Sequence, residues 1–235
     1  TFNTAIINQV HRVLADIFNF KHVSRDSFVL MLASASKARQ NLLAQVGIAH
    51  RVMISGVNED NYENPYAPDL VASLAKAKAK AVASRVFFDD LDNPVNKEID
   101  FVLGCDSVFV FQNEIFAKPR NIKEAIDRWK RMSSNIGFLM TGHALFPRPS
   151  FLELTRSFSW KPAIQEVVTT RVEFDELTPL EIDKYVLTGE PFQCAGGFAL
   201  EGKGGMFIKA IDGCYSNVIG LSLPWLRKAL RTLGS

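Results

Sequence analysis

Cysteine is scarce in this chain: Cys105, Cys194 and Cys214 are the only three in 235 residues. An odd number without metal-type spacing leaves no basis for a disulfide framework and favours a reducing compartment, so a cytoplasmic location is expected. Histidine is equally thin. Four residues scattered without ligand spacing do not make a histidine metal site, and His143, in Thr141-Gly142-His143, reads as structural. An excess of one charge is missing too. With Lys+Arg at 27 against Asp+Glu at 25 the net charge is +2, which argues against polymeric nucleic acid as a partner while allowing a small anionic ligand held by a few placed cations. No apolar run approaches the ~18 residues needed to cross a bilayer, so no membrane partner is expected. The chain also has no Gly-x-x-x-x-Gly-Lys phosphate loop, no internal repeat and no low-complexity linker.

What is present is apolar material for a full core, 47% of the chain, enough for one large α/β domain or two lobes of a single fold. Residues 1–27 read as an amphipathic helical extension. Ile6, Val10, Val13, Leu14 and Ile17 fall at helical spacing, and Asn8, Gln9, His11 and Arg12 make the segment too polar for a signal-peptide core. Residues 28–235 read as the folded domain. Strands and helices then alternate. Phe28–Ala33 is a strand running into a helix that carries Leu42, Leu43 and Val46 and stops at Gly47. A second helix opens at Asp69 and lasts to about Val86. A third is capped by Asn121 with Glu124 completing a capping box, and places Ile122, Ala125, Ile126, Trp129 and Met132 on one face. A fourth starts at Thr178-Pro179-Leu180-Glu181 and ends at Gly189, and a closing helix runs from Pro224 to Leu233. Strand-like segments lie at Val52–Ile54, Phe101–Phe116, Phe138–Phe146, Val167–Phe174 and Met206–Ile208, and Pro147–Pro162 reads as a long loop or hairpin extension.

Chemistry enters where this grammar is broken. The run Phe101-Val-Leu-Gly-Cys105-Asp106-Ser107-Val-Phe-Val-Phe111 is apolar except for one carboxylate in its interior. A lone buried carboxylate costs several kcal/mol unless a cation, a metal or hydrogen-bond donors offset it, so Asp106 is a candidate for catalysis. The alternative is a turn at Gly104–Ser107 with the aspartate capping its own backbone. Ser34-Ala-Ser36-Lys37-Ala-Arg39, at a strand-to-helix junction, gathers hydroxyls, helix N-terminal amides and two cations into an oxyanion cradle, or else is a serine-capped helix with solvated cations. Counting ~100° per residue in the second helix places Lys78 at the centre of the stripe of Val71, Leu74, Ala75, Ala81 and Val82, with Lys76 and Lys80 opposite. A lysine there must snorkel, meet a carboxylate or face an anion-binding cleft. Lys118-Pro119 and the glycine-dense Ala195–Gly205 complete the set. Those glycines precede a strand rather than a helix, which does not fit a dinucleotide fingerprint. They suit a backbone approaching a flat ligand, or a tight turn.

From Leu30 to Leu230 these segments, taken together, resemble the Maf family of nucleoside triphosphate pyrophosphatases, proteins historically linked to septum formation. Leu32-Ala-Ser34-Ala-Ser36-Lys37-Ala38-Arg39 is similar to the family's L-A-S-x-S-P-R-R, Val57-Asn58-Glu59 to its V-D-E, and Leu74-Ala-Lys-Ala-Lys78-Ala to its L-A-x-x-K-A. Leu103-Gly-Cys-Asp106-Ser107-Val resembles the catalytic G-A-D-T-V and Ala117-Lys118-Pro119 the G-K-P. Tyr185–Pro191 is similar to Y-x-x-x-G-E-P, and Ala195-Gly196 with Ser216-Asn217-Val-Ile-Gly220-Leu to A-G and Y-N-V-x-G-L. Three positions depart from the pattern: Lys37 stands where the family has proline, Ala38 where it commonly has its first arginine, and Asn58 where it has aspartate. Lys37 returns a cation that lacks arginine's bidentate fork.

The resemblance implies a Maf/ITPase-like α/β fold, a bent mixed β-sheet with flanking helices forming two lobes around a deep cleft, usually as a homodimer. It implies cleavage between the α- and β-phosphates of a nucleoside triphosphate with a divalent cation, Mg²⁺ or Mn²⁺. In that reading Asp106 orients or deprotonates the water and touches the metal. Glu59 helps to hold metal or water, and Ser34, Ser36, Lys37, Arg39, Lys78 and Lys118 hold the triphosphate. Glu201 occupies the position where uridine- and thymidine-triphosphate members carry glutamine and 7-methylguanosine-triphosphate members carry glutamate, so it is expected to read the base. The competing reading of Glu201 is a surface pair with Lys203. The competing function is a nucleotide-binding regulator of cell division without turnover, and the water-activating carboxylate favours catalysis over it.

Overall fold

The structure is a computed structural model and describes residues 28–149 and 164–234. The expected N-terminal helix and most of the Pro147–Pro162 stretch lie outside the described residues. Helices and strands alternate as β1 (Leu30–Leu32), α1 (Lys37–Gln45), β2 (His50–Val52), α2 (Ala67–Ser84), α3 (Pro94–Lys97), β3 (Phe101–Phe111), β4 (Glu114–Phe116), α4 (Ile122–Met132), β5 (Ile136–Pro147), β6 (Ile164–Phe174), α5 (Pro179–Leu187), β7 (Ile208–Asp212), α6 (Tyr215–Ile219) and α7 (Leu223–Gly234). The seven strands form one open mixed sheet in the order β2-β1-β3-β5-β6-β7, with β4 also on β3. β1 is parallel to β2 and β3, and the remaining pairs are antiparallel. The fold is therefore α/β with helices against a mixed sheet, as the alternation of elements predicts.

β3 reads as continuously apolar because both of its faces are covered. Leu103 and Cys105 pack with α1 and α7, and Phe109 and Phe111 with α4 and α5. On the opposite face Val102 joins Ala75, Ala79 and Val82 of α2. Two glycines bring α2 unusually close to the sheet. A Cβ on Gly104 would lie 2.2 Å from the Ala75 carbonyl oxygen, and one on Gly142 would lie 2.2 Å from that of Val71. Since Gly142 is the cross-strand partner of Asp106, the helix crosses the sheet beside the carboxylate.

The structure moves several expected boundaries. α2 ends at Ser84 and passes into one π-turn, Arg85–Asp89. Asn121 accepts from the Glu124 amide at 2.9 Å, but the Glu124 carboxylate reaches back to the Arg120 amide rather than to the Asn121 amide of a closed box. Ile122 is 51% exposed, so it leaves the stripe formed by Ala125, Trp129 and Met132. At α5 the box closes as expected, with Thr178 and Glu181 capping each other. Met206 belongs to a 3₁₀ segment, Lys203–Phe207, and the last strand starts only at Ile208. No helix among the described residues is long and apolar enough to cross a membrane.

Candidate active site

The site begins with a gap in one edge of β3. β1 pairs with β3 only over Phe101–Leu103, and the Ala33 amide adds one more bond to the Leu103 carbonyl at 2.8 Å. β4 takes up the same edge at Phe109–Phe111, while β5 covers the other edge without a break from Phe101 to Val110. Residues 104–108 thus face an opening at the C-terminal end of β1, the position at which open α/β sheets admit ligands. Asp106 and Ser107 stand in it on opposite faces of the strand. The turn reading of Gly104–Ser107 is set aside, since all four residues are in β3.

Arg39 fills the edge that β1 vacates. Buried, it donates from Nη1 to the Cys105 carbonyl at 2.9 Å and to Ser34 Oγ at 3.1 Å. Its Nη2 reaches Ser107 Oγ at 3.0 Å, and its Nε the Gly220 carbonyl at 2.7 Å. A guanidinium has five N–H donors, so one is left. Ser107 continues the network to Thr141 Oγ1 at 2.9 Å, which donates to the Asn217 carbonyl at 3.2 Å. The Ser-Asn-Val-Ile-Gly motif thereby supplies carbonyl acceptors behind the strand.

On the other face the α2 lysine meets two acids. Lys78, 9% exposed, places Nζ 2.6 Å from Asp106 Oδ1 and 2.7 Å from Glu59 Oε1. Burial pushes the Asp106 carboxyl above the usual carboxylate range, against the pull of Lys78 and Arg39, and Glu59 adds to the rise. Asp106 Oδ2 has no hydrogen-bond partner among the described residues. Glu59 is delivered by a single 3₁₀ turn, Glu59–Asn61, whose cap is Asn58, with Oδ1 3.1 Å from the Asp60 amide. An asparagine at this position therefore caps the turn that presents Glu59. Lys80 is exposed and Lys76 half-buried, on the outer side of α2 as their spacing predicts.

At the α1 entrance Ser36 is the N-cap, accepting from the Arg39 amide at 3.4 Å, and Ser34 Oγ accepts from the Ser36 amide at 3.2 Å. Lys37 points outward and is exposed. Lys118 is exposed beyond β4, and the following Pro119 packs beside Gly197. Burial pushes the Cys194 thiol up to about 11, aided by Glu201 and Glu190 and opposed by Lys118. Glu201 makes no ion pair with Lys203 among the described residues. It is exposed as a residue, while its carboxyl is desolvated enough, with Glu190 nearby, to sit above the usual range. Lys203 turns its amide instead to Glu190 Oε2 at 2.9 Å. The Gly204 amide and the Tyr185 hydroxyl each donate to Glu190 Oε1 at 2.8 Å.

His143 is fully buried, stacks on Trp225 and accepts from the Ser222 amide at 3.0 Å. Burial, with Arg39 adding, pulls it down to about 3, so it is neutral and structural. Among the described residues no three His, Cys, Asp or Glu side chains gather. The structure brings Glu59, Lys78 and Asp106 into contact, joins Ser34 to Arg39, and leaves Lys37 by itself. Sequence reasoning named Ser107 as a motif letter beside Asp106 but gave it no role. It named Glu190 only as a motif letter, because a loop anchor has no periodicity to betray it.

Known relatives match most of this chain. One from Synechococcus sp. (strain CC9605), named nucleoside triphosphate pyrophosphatase, is 52% identical over 200 residues, covering 85% of this chain and all of the relative. Another of the same name, from Prochlorococcus marinus, is 50% identical over 206 residues, covering 88% of this chain and 98% of the relative. The family model described as Maf-like protein matches residues 29–233, and with it the span that holds Ser34, Glu59, Lys78, Asp106 and Glu201; this chain belongs to the Maf family.

Proposed function

We propose that this chain is a nucleoside triphosphate pyrophosphatase that hydrolyses the α–β phosphoanhydride to give the monophosphate and pyrophosphate. The observation that carries the reading is Asp106: a buried carboxylate in a gap of the sheet, paired with Lys78 through one oxygen and with the other oxygen uncommitted. The name shared by the relatives supports the same reaction. Oδ2 orients a water toward the α-phosphorus and accepts its proton as the water oxygen bonds to phosphorus. The bond from phosphorus to the bridging oxygen breaks, and pyrophosphate leaves. Positioning and charge neutralisation carry most of such a reaction.

Ser34, Ser36 and the amides opening α1 receive phosphate oxygens, with Lys37, Lys78 and Lys118 supplying cations. Arg39, with four of its donors already spent, acts mainly by fixing Ser34 and Ser107 and by its charge. Glu59 and Asp106 fit a divalent cation, Mg²⁺ or Mn²⁺. They already converge on one positive centre, the Lys78 ammonium, and one or two carboxylates completed by substrate phosphates suit such an ion. When bound, the ion neutralises phosphate oxygens. Glu201 is assigned to the base. A carboxylate only accepts, which suits the adjacent N1 and N2 donors of guanine rather than the mixed edge of uracil or thymine. The proposal extends to a cytoplasmic homodimer, checked by light scattering, acting on free nucleotides in a pool-sanitation role.

A nucleotide panel assayed for product, with and without Mg²⁺, tests the reading. Pyrophosphate and monophosphate in equal amounts are expected. Orthophosphate, or nucleotide binding without turnover, would replace this function with another phosphatase chemistry or with the regulatory reading.

A further inference from the structure

Helix α2 and the π-turn that continues it touch the loop that carries Glu59 at two points. Lys78 holds its far end through the Glu59 carboxylate at 2.7 Å. Seven residues on, two turns along the same face, Arg85 donates from Nη1 to the Ile54 carbonyl at 3.2 Å and from Nη2 to the Ser55 carbonyl. These carbonyls lie just past the point where the parallel ladder ends, at the bond from the Met53 amide to Leu32. Ser55 is buried, and its hydroxyl accepts from the Val57 amide at 3.4 Å. A Cβ on Gly56, whose φ is +69°, would lie 3.5 Å from Arg85 Nη2. Arg85 has no carboxylate partner among the described residues, so its planar fork is spent on two consecutive loop carbonyls, a geometry that lysine cannot copy. It opens the π-turn, and such turns concentrate at functional sites.

We infer that Arg85 is a positioning residue that sets Glu59 against Lys78 and Asp106. Between Ser55 and Glu59 the chain has only three residues, so anchoring the first carbonyls fixes where the 3₁₀ turn begins. Removing the fork lets the turn drift, and displacements of about 1 Å in positioning groups cost up to ~10²-fold in rate.

The inference rests on the proposed role of Glu59, and a double-mutant cycle separates the two. Pyrophosphate release and the Mg²⁺ concentration giving half-maximal rate are measured for wild type, Glu59→Gln, Arg85→Ala and the double variant. Arg85→Ala is expected to lower kcat/KM by about tenfold and to raise the Mg²⁺ requirement. In the Glu59→Gln background it should change neither by more than about twofold, because contacts that act through one another are not additive. A silent Glu59→Gln removes the role of Glu59 itself. A costly Glu59→Gln with a silent or fully additive Arg85→Ala overturns the assignment of Arg85 alone. Should Arg85→Ala lower the melting temperature substantially, Arg85→Lys, which keeps the charge and loses the fork, is carried through the same cycle with the same two outcomes.

Discussion

Two regions that carry proposed site residues rely on glycine, and they are held by opposite means. Where α2 crosses β3, glycine admits a helix: Gly104 and Gly142 have no side chain because the backbone of Ala75 and Val71 occupies that space. In the loop Ala195–Gly205, glycine admits a carboxylate. A Cβ on Gly202 would lie 2.5 Å from Glu190 Oε2, and the Gly204 amide donates to the same carboxylate. The first region is close-packed and buries its charges together. The second depends on one half-buried acid that gathers two amides and a phenol. Packing against a sheet resists displacement along its whole length, whereas a loop tied to one anchor can be released by one change. Under the proposed function, catalysis on the first and base reading on the second would divide the work between rigidity and adjustability.

The largest effect is expected where the packed region meets the reaction. Asp106→Asn keeps the shape and removes the base, and positioned acid–base groups contribute ~10²- to 10⁴-fold in rate. Pyrophosphate release within a few-fold of wild type would identify the wrong carboxylate. The same residue sets a pH signature. The base works deprotonated and its pKa is raised by burial, so kcat/KM rises with pH through a limb displaced above the ordinary aspartate value of about 3.9. A limb at or below that value would contradict the burial argument.

Next in size is the contrast within α2. Lys78→Ala removes a buried cation beside both acids and should reduce kcat/KM by about 10²-fold, the scale for losing one preorganised charge donor. Lys76→Ala, on the outer side of the helix, should be nearly silent. Equal effects would mean that the inward stripe is not what matters.

The two anchoring modes can then be broken separately. Gly104→Ala forces a methyl into the Ala75 carbonyl and should destabilise globally by about 1–3 kcal/mol, a melting shift of ~2–4 °C per kcal/mol for a chain of this size. Glu190→Gln should barely move the melting temperature while accelerating hydrogen exchange at the Lys203 and Gly204 amides. Burial raises the Glu190 carboxyl, but the two amides and Tyr185 outweigh it and hold it low. Its anchorage is therefore present at neutral pH and lost on acidification past the ordinary glutamate value. Global destabilisation by Glu190→Gln, or local loosening alone from Gly104→Ala, would erase the distinction.

The same distinction governs what the sequence made legible. Asp106 and Lys78 stood out because burial imposes a period, and a charge that falls on the apolar phase is visible without coordinates. Arg85 obeys the same arithmetic, seven residues from Lys78, but its partners are backbone carbonyls, which no sequence pattern marks. The Glu190 anchorage and the Arg39 fork, which takes the Cys105 and Gly220 carbonyls, were hidden for the same reason. Most element types survived, while several boundaries moved. The end of α2 and the start of β7 are set by tertiary contacts that override local propensity.

The smallest effect, and the one most specific to substrate, belongs to Glu201 in the adjustable loop. Its carboxyl is not neutralised by Lys203, and desolvation together with Glu190 raises its pKa against a backbone hydrogen bond that lowers it, so acceptor capacity is left for a ligand donor. Adjacent N1 and N2 donors of a guanine would supply it, whereas a pyrimidine carbonyl would meet it as a second acceptor. A hydrogen bond to a charged group contributes about 1.5–3 kcal/mol, hence a preference of at least about tenfold in kcat/KM for a guanine-type or modified purine triphosphate over dTTP or UTP. Glu201→Gln replaces one acceptor with a donor and should narrow or reverse that gap. It should leave the Mg²⁺ dependence and the Asp106→Asn phenotype unchanged, since those reside in the packed region. Wild-type enzyme that favours dTTP or UTP, with a preference indifferent to Glu201→Gln, would take base recognition away from this loop and leave the assignment of Asp106 intact.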